Sequence, residues 1–370
     1  MPIRFYVNMI YVVFFVFLIS GALISKLKNT SKVYLFALMA FLFAIIGFRD
    51  TTVGPDTLGY TQDFFEFSQL KFAQIWQTAI ASKEPLYVII SWFASVFSNS
   101  YTAFLFVWAL FPVISLYKVF KYNLKDDIDY MIAFLIFFML GLFAFFVAGI
   151  RQTAALSLTF AGAGCLTKIN IQSLKSFIKD KNLYVFILYV AIAYLIHNSA
   201  LFFLLAIPCL FIKAKRWFLL LVLGFFFLGK YVPVDQIVSI SAMLFDDRFS
   251  SYGTTYESTQ NTSAFIMQFL LFAICFSKME KLKAEDRTNN FLFVMMFVGL
   301  MFQSLSGILA EMSRVSFYFC MFSMILTPRA IRAYNLSLRP IIYLGFTIAA
   351  IVYLFFLTNA NLPTYNSVLF

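Results

Sequence analysis

Arg49, Arg151, Arg248 and Arg314 each stand at the edge of an apolar run. A guanidinium is planar, permanently charged and carries five donors in a fixed fork, which suits bidentate contact with phosphate or carboxylate. Four of them at such edges point to a site for an anionic ligand. The competing use is pairing with nearby carboxylates such as Asp50, Asp56, Asp246, Asp247 and Glu311. His197, the only histidine, lies in Tyr194-Leu195-Ile196-His197-Asn198-Ser199-Ala200. An imidazole can act as a general base near neutral pH; bonding to a neighbouring carbonyl or donating to a phosphate are its other uses. Glu84 and Glu311 both open apolar runs. Each is either a catalytic carboxylate or a charge favoured by the macrodipole at a helix N-terminus. Glu311 and Arg314 are spaced i, i+3, which predicts an intrahelical ion pair.

The elements that must position these residues are membrane helices. Of the 370 residues, 62% are hydrophobic and 12% charged, 51 are Phe, and the mean hydropathy is +0.87. A bilayer crossing takes about 20 apolar residues, and such runs recur from residue 5 to residue 358 with only short polar stretches between them. The first run, 5–24, lacks a small-residue cleavage site before a soluble part and reads as a retained helix rather than a signal peptide. Cys165, Cys209, Cys275 and Cys320 lie inside apolar runs at wide spacing, which argues for packing rather than a disulfide framework or a zinc site.

A net charge of +11 raises the question of nucleic acid, but the basic residues cluster beside apolar runs. The clusters are Lys26/Lys28/Lys32, Lys118/Lys121/Lys125, Lys168/Lys175/Lys179/Lys181, Lys213/Lys215/Arg216, Lys278/Lys281/Lys283/Arg287 and Arg329/Arg332/Arg339. That is the positive-inside pattern, and no nucleic-acid partner is implied. Placing every cluster inside predicts about twelve crossings with both termini outside: 5–25, 33–48, 101–121, 130–149, 151–167, 183–197, 199–212, 216–230, 264–278, 291–307, 312–328 and 341–358. The run 84–97 would reverse every later cluster if it spanned, so it is expected to be re-entrant or interfacial. The outer side then keeps Arg4, Arg49, Arg151, Arg248 and Arg314 beside only Lys71, Lys83 and Lys230.

On this topology the apolar stretch 130–166 is a hairpin, which forces Arg151 to its outer turn. A guanidinium there costs a few kcal/mol unless paired, or else snorkels to lipid phosphate. His197 falls at the outer turn of the next hairpin. Small residues in 154–164 let neighbouring helices approach closely. One integral membrane domain, 1–370, is expected, with the outer segments 49–83 and 231–263 long enough to fold over a site.

The first of these segments opens Gly47-Phe48-Arg49-Asp50-Thr51-Thr52-Val53-Gly54-Pro55-Asp56-Thr57-Leu58-Gly59-Tyr60. Arg-x-x-x-x-Gly-x-Asp-x-x-x-Tyr resembles the signature of the EpsG family of Wzy-type polysaccharide polymerases. Further elements follow in that family's order: Glu84-Pro85-Leu86, Arg151-Gln152, His197-Asn198-Ser199-Ala200, Arg248 with Tyr252, Arg314 with Tyr318 and Phe319, and Pro363-Thr364-Tyr365. The chain departs from the pattern at Pro55 and at the inserted Thr364. The resemblance spans nearly the whole chain. It implies an all-α polytopic membrane protein, GT-C-like in architecture, in the bacterial cytoplasmic (inner) membrane with its active site facing the periplasm or outside.

The chemistry the resemblance implies is glycosyl transfer from a polyprenyl-pyrophosphate-linked glycan to a sugar hydroxyl of another lipid-linked repeat unit. Arg49, Arg151, Arg248 and Arg314 would hold the pyrophosphate, Arg151 and Arg314 with a catalytic share. Asp50, Tyr60, Gln152, Tyr252 and Tyr365 would complete the substrate site. His197 is the first candidate for the base, with Asp56 and Glu84 behind it. No cofactor and no metal are implied, since the chain has no Gly-rich phosphate loop, no Asp-x-Asp pair in a strand context and no zinc or EF-hand spacing. Implied partners are the lipid-linked oligosaccharides, the bilayer, a chain-length regulator and a repeat-unit flippase. Three other classes share features with this chain. A ligase differs only in its acceptor; a flippase or transporter would line a mid-membrane path with its arginines; a membrane-bound O-acyltransferase would need His197 within reach of a cytoplasmic acyl donor.

Overall fold

A backbone in lipid must satisfy its own N–H and C=O groups, so uninterrupted apolar sequence becomes helix. The computed structural model describes residues 9–171, 173–231, 262–307, 311–358 and 361–368. Among the described residues the secondary structure is helical, apart from an isolated antiparallel bridge between Arg49 and Ser367. The chain divides into two compact units, one of Met1–Ile207 with Asn335–Phe370 and one of Pro208–Tyr334.

The first unit contains α1 (Met9–Lys28), α2 (Ser31–Gly47), α3 (Thr57–Ser68), α4 (Phe72–Ala81), α5 (Pro85–Phe97), α6 (Tyr101–Asn123), α7 (Asp127–Met139), α8 (Leu142–Ala148), α9 (Ile150–Leu166), α10 (Leu174–Lys179) and α11 (Lys181–Ile196). A 3-10 helix, Asn198–Leu205, follows α11, and Arg339–Val352 with the π-turn Tyr353–Leu357 closes the unit. The second unit holds Phe218–Tyr231, Thr262–Phe276, Met279–Glu285, Thr288–Ser304, Glu311–Cys320 and Ser323–Arg332.

Three described helices are long and apolar enough to cross a membrane: Met9–Lys28, Tyr101–Asn123 and Arg339–Leu357. Two bent pairs, α7 with α8 and Thr262–Phe276 with Met279–Glu285, raise that to five if each is one span. The other apolar helices are shorter. Three expected spans are interrupted: 130–149 breaks between α7 and α8, 199–212 is a 3-10 helix followed by the single turn Ala206–Cys209, and 312–328 breaks between Glu311–Cys320 and Ser323–Arg332.

The break between α7 and α8 has a local cause. Gly141 sits at φ 73°, a left-handed conformation that side chains with a Cβ resist. Asn361 donates to the Met139 carbonyl at 2.8 Å and fills the notch over the bend. Run 84–97 becomes α5, started by Pro85, which lacks the N–H that a first turn leaves unbonded. Its 13 residues extend about 20 Å, short of a hydrocarbon core of about 30 Å.

Around α5, one apolar cluster joins α3, α4 and α5 to the first turns of α6 and α9 and the last turn of α11, through Tyr60, Phe64, Tyr87, Tyr101, Ile150 and Ile196. Thus the expected outer segment 49–83 is mostly two short helices that pack where α6, α9 and α11 have their ends. Deeper in the unit α9 is clasped by its neighbours. Ser115 of α6 donates to the Ser157 carbonyl at 2.6 Å, and Gly162 lets Tyr189 of α11 approach so closely that a Cβ would meet it at 2.7 Å.

Candidate active site

Glu84 is the residue around which the site is built. It caps the N-terminus of α5, where a negative charge suits the helix dipole. One carboxylate oxygen accepts from the Arg151 guanidinium at 2.6 Å and the other contacts His197 Nδ1 at 2.6 Å. Arg151 lies in the first turn of α9, where a cation opposes the helix dipole, so Glu84 supplies the compensating charge. His197 ends α11 in an extended conformation that turns its ring out of the helix toward Glu84. Burial works to raise the Glu84 pKa, but the His197 hydrogen bond and the Arg151 charge outweigh it and hold the carboxyl below its usual range.

Side-chain exposure differs across this relay: Glu84 is 11% exposed, His197 26% and Arg151 39%. Arg151 and His197 are therefore the accessible members, with Glu84 behind them. With Nδ1–H donating to Glu84, the imidazole presents Nε2 as a lone-pair acceptor.

Two tyrosines support the guanidinium from below. Its carbon lies 5.1 Å from the centre of the Tyr87 ring and 5.6 Å from that of Tyr60, within cation–π range. Tyr60 and Tyr87 meet edge to face, and the Tyr87 hydroxyl donates to Asp63 at 2.7 Å. Sequence reasoning missed Tyr87 and Asp63. Both had a legible signal, since Tyr87 is three residues past Glu84 and Asp63 is three past Tyr60, one helical turn in each case.

Arg49 occupies a different setting in the same unit. Just past α2, it has no exposed surface. One terminal nitrogen donates to the Ile46 carbonyl at 2.7 Å, whereas Nε and the other terminal nitrogen have no hydrogen-bond partner. Its cover comes from the chain's last residues. Tyr365 donates to the Ile45 carbonyl at 2.9 Å, the Asp50 amide bonds to the Asn366 carbonyl at 2.9 Å, and the Val368 amide bonds to the Phe48 carbonyl at 3.0 Å. The closing Pro363-Thr364-Tyr365 motif thus stitches the exit of α2. Gly54, at φ 93°, lets the following loop pass the Val147 carbonyl, which a Cβ would meet at 2.8 Å.

The remaining candidates scatter. Asp50 accepts from the Thr52 amide at 2.9 Å in a local turn, and Asp56 is exposed at the start of α3. Gln152 is buried beside Arg151 in α9. Arg314 and Glu311 form the expected i, i+3 pair at 3.4 Å in the second unit, with both side chains exposed. Arg248 and Tyr252, and nearly all of the expected outer segment 231–263, lie outside the described residues. Among the described residues no three His, Cys, Asp or Glu side chains converge on a metal-sized site.

Apolar helices of this length and number, around a polar relay built at helix ends, describe a multi-pass membrane protein. The profile of the EpsG family matches residues 32–368, and the chain belongs to that family, whose members are Wzy-type polysaccharide polymerases. No curated protein and no solved structure matches the chain.

Proposed function

We propose that this protein polymerises lipid-linked oligosaccharide repeat units by glycosyl transfer at the outer face of the bacterial cytoplasmic membrane, from a GT-C-like bundle of about twelve spans oriented by its basic clusters. The donor is a glycan on polyprenyl pyrophosphate and the acceptor a sugar hydroxyl of a second lipid-linked repeat. The observation that carries this reading, beside family membership, is Glu84 held between Arg151 and His197.

In the proposed reaction the acceptor oxygen attacks the anomeric carbon and the bond from that carbon to the pyrophosphate breaks. His197 Nε2 takes the hydroxyl proton, while Glu84 holds the ring in the required tautomer and stabilises the imidazolium that forms. Polyprenyl pyrophosphate leaves with its charge already met by the Arg151 fork, so no general acid is required. Arg248, Arg314 and Tyr252 remain assigned to the glycan and pyrophosphate, and Asp56 stands behind His197 as a candidate base, as part of the same proposal. A repeat-unit flippase that delivers the substrate and a chain-length regulator are the proposed partners.

The test is the surface glycan of cells that carry Glu84→Gln, Arg151→Ala or His197→Ala in place of the native protein. Single-repeat glycan in place of a ladder is the expected result. A normal ladder from Arg151→Ala, with the protein at its usual level in the membrane, would sink the proposal.

A further inference from the structure

A cavity of about 390 Å³, in the range of small-ligand pockets, lies in the first unit among α5, α6, α9 and α11. Its walls are apolar and carry methyl branches and an aromatic ring: Ile90, Val107, Phe111, Ile114, Leu158 and Ala161. Leu110 and Ile114 on its rim are exposed, so it opens sideways as a groove. At the far end Lys118 approaches the Tyr189 hydroxyl at 3.4 Å.

What links this groove to the relay is the surface of α9. Every residue of that helix is buried except Arg151, Leu158, Ala161, Gly164 and Cys165. Spacings of seven, three and three place these on one stripe of a helix. The guanidinium heads this face, and after one turn in which Ala154 and Ala155 are buried the same face reaches the groove at Leu158 and Ala161. At 1.5 Å per residue, Leu158 lies about 10 Å along the axis from Arg151. On the opposite wall Ile90 is six residues into the helix that Glu84 caps. A guanidinium at one end, which takes an anionic group, and a branched apolar channel at the other define an amphiphile with a charged head and a hydrocarbon chain.

We propose that the groove seats the isoprenoid chain of the lipid whose pyrophosphate Arg151 holds. The proposal rests on the reading of Arg151 as the phosphate contact. It assigns Leu158 and Ala161 the task of setting the depth and direction of the chain, so that the sugar-bearing phosphate arrives at the Glu84 relay in one register. Such anchoring supplies remote binding energy that fixes the reacting group without touching it.

The experiment uses the full-length protein in lipid nanodiscs and a polyprenyl pyrophosphate that bears a diazirine in its chain but no sugar. Labelling of α6 and α9 peptides, chased by unlabelled polyprenyl pyrophosphate and not by phosphatidylglycerol, is the expected outcome. Ala161→Phe fills the groove and should lose this label. If that variant fails to fold, the chase on the native protein still decides. An equal chase by phosphatidylglycerol, which marks the groove as a site for bulk lipid, overturns the proposal, as does label outside α5, α6, α9 and α11. Failure of the polymerase reading is separable, because a sugar-free probe that labels the groove in a protein unable to extend glycan leaves the groove standing. Glycan extension with label elsewhere removes the groove alone.

Discussion

Arg49 and Arg151 are the same residue type at the same kind of place, one just past the end of α2 and the other in the first turn of α9. Their surroundings divide them. Arg151 is more than a third exposed, rests on two tyrosine rings and shares a carboxylate with an imidazole. Arg49 has no exposed surface, bonds to one carbonyl and pairs through its backbone with Ser367. The comparison teaches that an arginine at a helix end is left accessible or fully buried according to what covers it. Here the cover on Arg49 comes from a segment more than 300 positions later in the chain.

The largest effect that would break or sharpen this contrast is on chain extension. Arg151→Ala is expected to slow it by roughly 10²–10³-fold, the loss typical of a preorganised donor to a developing charge. Arg151→Lys should not restore it, because an ammonium cannot reproduce the planar fork. Arg49→Met should retain a full ladder, with a thermal midpoint in detergent that is unchanged or higher, since an apolar side chain relieves two unpartnered buried nitrogens. A ladder lost in Arg49→Met protein that melts normally would erase the distinction.

Next in size is the relay itself. Glu84→Gln and His197→Ala should each reduce extension by about 10²-fold or more, as expected for a positioned general base. Because Glu84 acts through His197, the double variant should be little worse than the more damaging single one. Independent, multiplying losses measured on purified protein would show that the two residues do not act as a unit.

Smaller effects fall on stability. Tyr365→Phe removes the hydrogen bond to the Ile45 carbonyl and should cost about 1 kcal/mol, read from denaturation in detergent, with extension unchanged. Gly54→Ala meets both a positive φ and the Val147 carbonyl and should cost about 1–3 kcal/mol. If either variant lost extension before stability, the exit of α2 would belong with the chemistry rather than with the packing.

How much of this could be read in advance depended on sequence distance. The Glu311 and Arg314 pair was legible because one helical turn contains it. The all-helical class was legible too, since lipid makes apolar sequence helical, whereas the number and continuity of the spans were not. The relay was legible only as separate residues: Glu84 lies 67 positions from Arg151 and 113 from His197, and nothing local in their spacing says that α5, α9 and α11 bring them together. Likewise Arg49 offered the same sequence signal as Arg151. The chain on either side of it is tied to Tyr365, Asn366 and Val368 by backbone and side-chain bonds that no periodicity predicts. Interruptions such as Gly141 at φ 73° were also hidden, since a glycine in an apolar run reads equally as close packing or as a bend.

The smallest expected effect is on the acid dependence of stability, and it separates the two regions without a rate measurement. The Glu84 pKa is lower folded than unfolded, because the His197 hydrogen bond and the Arg151 charge outweigh its burial. A carboxyl with a depressed folded pKa contributes stability that is fully present above its unfolded pKa, near 4.3, and disappears as pH falls through the folded value. The native protein should therefore lose stability as the pH drops below about 4.5, and Glu84→Gln should lose less over the same interval. Tyr365→Phe, which alters only the cover of Arg49, should keep the native acid slope. Melting curves of the three proteins in one detergent between neutral pH and pH 3.5 make the comparison. Parallel slopes for the native protein and Glu84→Gln would show that the carboxylate between Arg151 and His197 contributes no charge-dependent stability to the fold.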